Sequence, residues 1–178
     1  KKVSVNGKDI IEHPTQFYHK GILKIKSKTN VGVTIKHQLF PSRDLLAFID
    51  KITITNPTNQ ELSVTLPVIN KTHVTDAKKG VDGAYVISAK SNKSGIFKLK
   101  KGETLDYAII YAARKEYEKE QYISPDFEYK KRSDFITQTL SNLVLETPDK
   151  VLNNTFSFAK IRATESIFNT KGGLMHAP

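Results

Sequence analysis

Five histidines and a small set of carboxylates carry most of the chemistry open to this 178-residue chain. His13, His19, His37, His73 and His176 include no pair four residues apart, the spacing that puts two ligands on one helical turn. His37 falls on the apolar side of an alternating stretch, where a packed, hydrogen-bonded imidazole is commoner than a ligand. Glycosidic chemistry needs only two carboxylates at the right separation, which sequence spacing does not reveal. Glu12, Asp44, Asp50 and Asp106 are the candidates, and each also suits a turn, a strand edge or the surface. Tyr85, Tyr107 and Tyr111 could present rings to a sugar, although tyrosines on the inward face of a strand more often belong to a core. The absence of tryptophan weakens the case for a dedicated sugar platform. No phosphate-cradling glycine loop, dinucleotide fingerprint or nucleophile elbow occurs. The lack of cysteine excludes disulfides, thiolate metal sites and cysteine nucleophiles. No catalytic residue, cofactor or metal ligand is therefore assigned.

The elements that must position these groups follow from periodicity. With 38% apolar and 26% charged residues the composition is that of a globular domain, long enough for one core with an appendage and too short for two full domains. No stretch has the length of a bilayer span. The net charge of +10 raises the question of nucleic acid, but only Arg43, Arg114, Arg132 and Arg162 are arginines and the lysines are dispersed. Arginine's planar fork is the preferred reader of phosphates and base edges, so a solvated lysine surface is the better account.

Up to about Arg114 the period is two. Val31, Val33, Ile35, His37 and Leu39 alternate with Gly32, Thr34, Lys36 and Gln38, as a half-buried strand requires. Leu46, Phe48, Ile52 and Ile54 repeat the pattern, interrupted by Asp50, and so do Leu62, Val64, Leu66 and Val68. The turn "NPTNQ" between these two runs predicts a hairpin. Further strands are expected around 85–87, 96–99 and 105–111, with 72–83 as the longest loop. Strands at such intervals without intervening helices indicate antiparallel sheets packed face to face, a β-sandwich.

After Tyr111 the pattern changes. Pro125 marks a charged connector leaving the sandwich. Phe135, Ile136, Leu140, Leu143 and Val144 then recur at helical spacing. A second helix is expected from Pro148 to about Asn169, with Thr147 as its N-cap and Gly172–Gly173 as its stop. That helix would be about 30 Å long at 1.5 Å per residue. Leu152, Phe156, Ala159, Ala163 and Ile167 form its stripe, widened by Val151, Phe158, Ile161 and Phe168. An apolar surface of this breadth needs a partner on a second side. Phe156, Phe158, Ile161, Ile167 and Phe168 are the expected contact residues with a neighbouring domain.

Residues 19–58, "HKGILKIKSKTNVGVTIKHQLFPSRDLLAFIDKITITNPT", together with "LVLETPDKVLNNTFSFAKIRATESIF" and "TKGGLMHAP" at 143–178, resemble bacterial six-hairpin glycosidases. In that family a β-sandwich and linker helices precede an (α/α)6-barrel catalytic domain. The resemblance implies a sandwich at 1–122, a helical linker region at 123–170 and the threshold of an absent catalytic domain at 171–178. It implies a non-catalytic role for this chain, packing against a covalently linked barrel that would act on carbohydrate. No catalytic residue is carried over, because the chain ends before the family's catalytic carboxylates. A periplasmic or extracellular location follows from the family's habit alone. A free-standing carbohydrate-binding or adhesion module is the alternative, and assembly through the apolar helix a third.

Overall fold

The structure is a computed structural model that describes residues 2–80, 83–170 and 172–176. It is mainly β, with antiparallel sheets followed by two helices, as the periodicity predicts. The strands are β1 (Ser4–Val5), β2 (Lys8–Asp9), β3 (Glu12–His19), β4 (Leu23–Thr29), β5 (Thr34–Pro41), β6 (Ala47–Thr55), β7 (Leu62–Leu66), β8 (Asn70–Val74), β9 (Tyr85–Ser91), β10 (Gly95–Leu99) and β11 (Thr104–Lys115). Helices α1 (Pro125–Ser141) and α2 (Lys150–Glu165) follow, and β12 (Ile167–Thr170) pairs with β13 (Gly173–His176) in a separate hairpin. A seven-stranded sheet runs β3-β4-β5-β6-β11-β9-β8, and a four-stranded sheet runs β10-β7-β1-β2.

The large sheet buries residues on both faces, which is why its central strands show interrupted alternation. Its inner face packs Ile35, Ile52, Ile54, Leu105 and Tyr107 against Val5, Leu62, Val64, Leu66 and Leu99, largely from the small sheet. Its outer face presents Phe40, Ile49 and Ala108 to Ile136 of α1 and Ile161 of α2, joined by Ile22. The helices therefore share a core with the sheet.

"NPTNQ" is a turn, but not a hairpin: β6 belongs to the large sheet while β7 pairs with β1 and β10. The fully buried Asn56 makes the crossover. Its amide nitrogen donates to the carbonyls of Gln60 and Leu99, and its side-chain oxygen accepts from the backbone N–H and hydroxyl of Thr58. The apolar sides of β6 and β7 thus meet across the sandwich instead of lying side by side.

The C-terminal elements also differ from expectation. Pro125 does not break a chain but opens α1, with Ser124 as N-cap, since the first helical position lacks an N–H acceptor anyway. Leu143 and Val144 lie beyond α1 and are exposed, Leu143 at φ +52°. The N-cap of α2 is Asp149, not Thr147. Its carboxylate accepts from the N–H groups of Val151 and Leu152, while Thr147 and Asn153 bond each other to brace the approach. The helix stops at Glu165, short of Asn169, and Gly173 at φ +111° serves the following hairpin. Ile167, Phe168 and Thr170 are strand formers, and the Ser166 hydroxyl returns to the Ala163 carbonyl. The 72–83 segment is partly ordered into β8 and one turn of 3-10 helix at Ala77–Lys79. Val81 and Asp82 of that segment, and Lys171, Ala177 and Pro178 of the 171–178 segment, lie outside the described residues.

Candidate functional site

The chain's most concentrated chemistry lies on the inner face of the large sheet, beside the part covered by the small one. His37 projects from β5 between two carboxylates: Nδ1 lies 3.1 and 3.0 Å from the Asp50 oxygens, and Nε2 lies 3.3 and 3.0 Å from those of Glu12. An ionised carboxylate only accepts, so a ring that satisfies both carboxylates in their ionised form donates from both nitrogens, the arrangement that favours the protonated imidazolium. Burial lowers the His37 pKa, but the hydrogen bond and charge of Asp50, reinforced by Glu12, outweigh it and hold the value above the ordinary 6.5. The Tyr107 hydroxyl is driven above its usual range, first by burial and then by the negative charges of Asp50 and Glu12.

Ser27 belongs to the same neighbourhood. On β4 it opposes Pro14 and Ile35, which places it diagonally next to Glu12 and His37 on the same face. Its hydroxyl is buried and has no hydrogen-bond partner. Leaving such a group unsatisfied costs about 1–3 kcal/mol. Around this cluster the face stays open. Phe48 and Tyr111 are direct cross-strand partners on β6 and β11, at 42% and 44% exposure although both strands are central in the sheet. Phe17 and Ile87 extend the open face toward its two edges and are also exposed.

A second constellation fastens the helices to the outer face. Along α1, Glu128, Arg132 and Ile136 succeed one another at four-residue spacing and are all buried. Glu128 accepts from the Ser42 hydroxyl at 2.5 Å, and Arg132 donates to the Gly21 carbonyl at 3.0 and 2.9 Å and to Glu165 at 3.2 Å. Gln38 donates to the Tyr129 hydroxyl at 2.8 Å, Lys51 pairs with Asp126, and the Arg43 guanidinium lies 3.8 Å above the Phe135 ring. Lys160 of α2 reaches the carbonyls of Leu140, Asn142 and Leu143 at the end of α1. A cleft of about 640 Å³ lies between the outer face at Thr72, Ser88 and Lys90 and the connector at 118–123. The Lys90–Glu120 ion pair crosses it.

Of the carboxylates singled out in the sequence, Glu12 and Asp50 come together around His37. Asp44 instead pairs with Lys131 at 2.6 Å, and Asp106 accepts from Thr53 across the ladder. Among the histidines, His19 meets Phe158 edge-on at 5.6 Å, His176 bonds Ser166, and His13 and His73 are exposed. Among the described residues no group of three or more His, Asp or Glu side chains is arranged to hold a metal ion, and no helix is long and apolar enough to cross a membrane. The expected contact residues divide. Ile161 is buried within the chain, Phe156 is half-buried beneath the Lys160 ammonium, and Phe158, Ile167 and Phe168 remain 40%, 46% and 55% exposed. Sequence reasoning missed Ser27, Glu128, Arg132 and Lys160. Glu12, His37 and Asp50 stand in the sequence as separate candidates, and the break in β6 alternation at Asp50 is a further signal of the cluster.

The class that the fold defines is an antiparallel two-sheet domain with an attached helical layer. No family model matches the chain, and no curated protein matches it.

Proposed function

We propose that this chain is a non-catalytic β-sandwich domain of a larger glycoside hydrolase, whose helical layer packs against and supports a covalently linked (α/α)6 catalytic barrel. The observation that carries the docking role is the run of exposed apolar side chains on α2 and the hairpin. Val151, Leu152 and Phe158 of α2, then Ile167, Phe168, Leu174 and Met175 of the hairpin, stand open to solvent while Ile161 of the same helix is buried against the sheet. Exposed apolar side chains gathered in such number on two adjacent elements mark an interaction site. The nature of the neighbour rests on the resemblance of residues 19–58 and 143–178 to six-hairpin glycosidases, and with it the carbohydrate substrate and an exported location.

The test compares two polypeptides. In the full-length gene product, Phe168→Asp is expected to lower the melting temperature and glycosidase activity. In residues 1–178 alone the same change should leave the melting temperature unaltered. Glycoside hydrolysis by residues 1–178 alone overturns the reading, as does a full-length Phe168→Asp protein that melts and acts like the wild type.

A further inference from the structure

Lysines that are dispersed along the sequence are gathered by strand register on the outer face of the large sheet, beyond its helical layer. Phe40 and Gln38 of β5 meet the helices, so Lys36, two residues before Gln38, stands on the same face. Lys24, Lys26 and Lys28 of β4 share it, with Lys24 paired to Gln38 and Lys26 directly opposite Lys36. We propose that these four lysines and the neighbouring Tyr18 form a peripheral docking face for the surface of an anionic lipid bilayer.

The other lysines of this face set these four apart. Lys51, beside the start of α1, pairs with Asp126, and Lys90, beside the connector, pairs with Glu120. Where another part of the chain covers the face, it brings a carboxylate to the lysine. Lys24, Lys26, Lys28 and Lys36 have no ion pair among the described residues. Asp106 is the one carboxylate that the strands of the large sheet place on this face, and it lies two strands from Lys36 and accepts from Thr53. Like charges directly opposite across a ladder repel, so the register of Lys26 and Lys36 is unfavourable until an anionic surface faces it.

Side-chain chemistry chooses among the polyanions. Nucleic acid is held by arginine forks and by rings that stack on bases, and no arginine stands on β3, β4 or β5. The centre of a protein–protein contact is depleted of lysine, whereas lysine occupies the centre of this face, flanked by Thr34 and Thr53. Anionic headgroups in a fluid layer supply negative charge at any spacing. That suits ammonium groups on flexible stems, about 7 Å apart along β4 and about 5 Å from the neighbouring strand. Tyr18 points independently to the same occupant. It opposes Lys24 on the edge strand β3, is exposed, and has the Lys24 ammonium 5.8 Å from its ring centroid. A tyrosine's apolar body and polar tip settle at the level of lipid headgroups.

The test is flotation of the 178-residue chain with vesicles of phosphatidylcholine alone or mixed in equal parts with phosphatidylserine. The chain is expected to float with the anionic vesicles at low salt, to stay behind with the neutral ones, and to be released as salt rises. Lys26→Gln combined with Lys36→Gln should weaken partitioning about 30-fold, from about fivefold for each lysine near such a surface. Lys71→Gln combined with Lys98→Gln removes the same charge from the inner face and the small sheet and should change partitioning little. The chain has no tryptophan, so Tyr18→Trp is a local probe whose emission should shift to the blue with anionic vesicles, while Tyr111→Trp on the inner face should not respond. The proposal is overturned if the chain ignores anionic vesicles, if it floats equally with neutral ones, if the two lysine pairs weaken binding alike, or if the two tryptophans respond alike. A chain that ignores the vesicles but binds duplex DNA through Lys26 and Lys36 overturns it as well. None of these outcomes bears on the docking role, which concerns α2 and the hairpin.

Discussion

The attachment of the helical layer to the sheet is tested most directly at Gly21. This residue sits at φ +76° in the turn between β3 and β4, and a Cβ built on it would lie 2.7 Å from Ile136 Cδ1 and 2.8 Å from Ile136 Cγ1. Gly102, in the turn before β11, has φ +78° but nothing within 4 Å of a built Cβ. Alanine at either position adopts the left-handed backbone, at about 1–2 kcal/mol. Only Gly21→Ala must also push α1 outward. Ile136 is 8% exposed and packed beside Ile161, so its side chain has no open space to enter, and overpacking adds about 1–3 kcal/mol. The expected loss is about 1–2 kcal/mol for Gly102→Ala and about 2–5 kcal/mol for Gly21→Ala. Urea titration reads the difference directly. In a scan, domains of this size lose about 2–4 °C per kcal/mol. Ile136→Ala removes both crowding atoms, so the double variant should be less destabilised than the sum of the single changes, by about 1 kcal/mol or more. Equal losses for the two glycine variants, or strict additivity in the cycle, would refute the seating of α1 on this turn.

Three further expectations follow from the charged groups. Because the folded-state pKa of His37 is raised, its contribution to stability is full below 6.5 and is lost as pH climbs through the folded-state value. His37→Gln should therefore lower the urea midpoint more in mild acid than in alkali, and a larger effect in alkali would reverse the sign. Lys160→Met withdraws a charged donor from three carbonyls at the end of α1, at about 1–2 kcal/mol, and an unchanged midpoint would show that this joint needs no such donor. Arg132→Met leaves the Gly21 carbonyl and Glu165 without their buried partner, at about 3 kcal/mol. Adding Glu165→Leu should recover part of that loss, and no recovery would mean that the Gly21 contact alone carries it.

The strands were legible because alternation is a local signal. Ile35, Ile52 and Ile54, or Leu62, Val64 and Leu66, announce a buried face whichever strand they pair with. What they do not announce is the partner. "NPTNQ" has the composition of a hairpin turn, and only the burial of Asn56 between Gln60 and Leu99 turns it into a crossover between sheets. The helical segment was harder, because α1 buries Glu128 and Arg132 where an apolar stripe was sought, and a charged side chain in a sequence signals solvent by default. The His37 cluster joins residues 25 and 13 positions apart, a separation that spacing rules for helices and loops do not reach. Asp50 showed as a flaw in a strand and as one of four isolated carboxylates. Its meaning came from the strand order that carries Glu12 to the same face.

The two faces of the large sheet solve opposite problems with the same kinds of residue. On the outer face, an apolar seam alone would let α1 slide by a turn or reverse at little cost. Glu128, Arg132 and Ile136 prevent this because each meets a different partner: the Ser42 hydroxyl, the Gly21 carbonyl, and the Ile161 side of the core. A one-turn shift would put the carboxylate where the guanidinium belongs and the guanidinium against Ile22 and Phe40. Desolvating those charges costs stability, and what it secures is a single position for the helix. Helix α2 and the hairpin inherit that position through Lys160 and Ile161. On the inner face the charges of Glu12, His37 and Asp50 satisfy one another and leave the aromatic pair uncovered. The outer charges thus fix the helical layer in one position, and the inner ones satisfy one another beside an exposed aromatic pair.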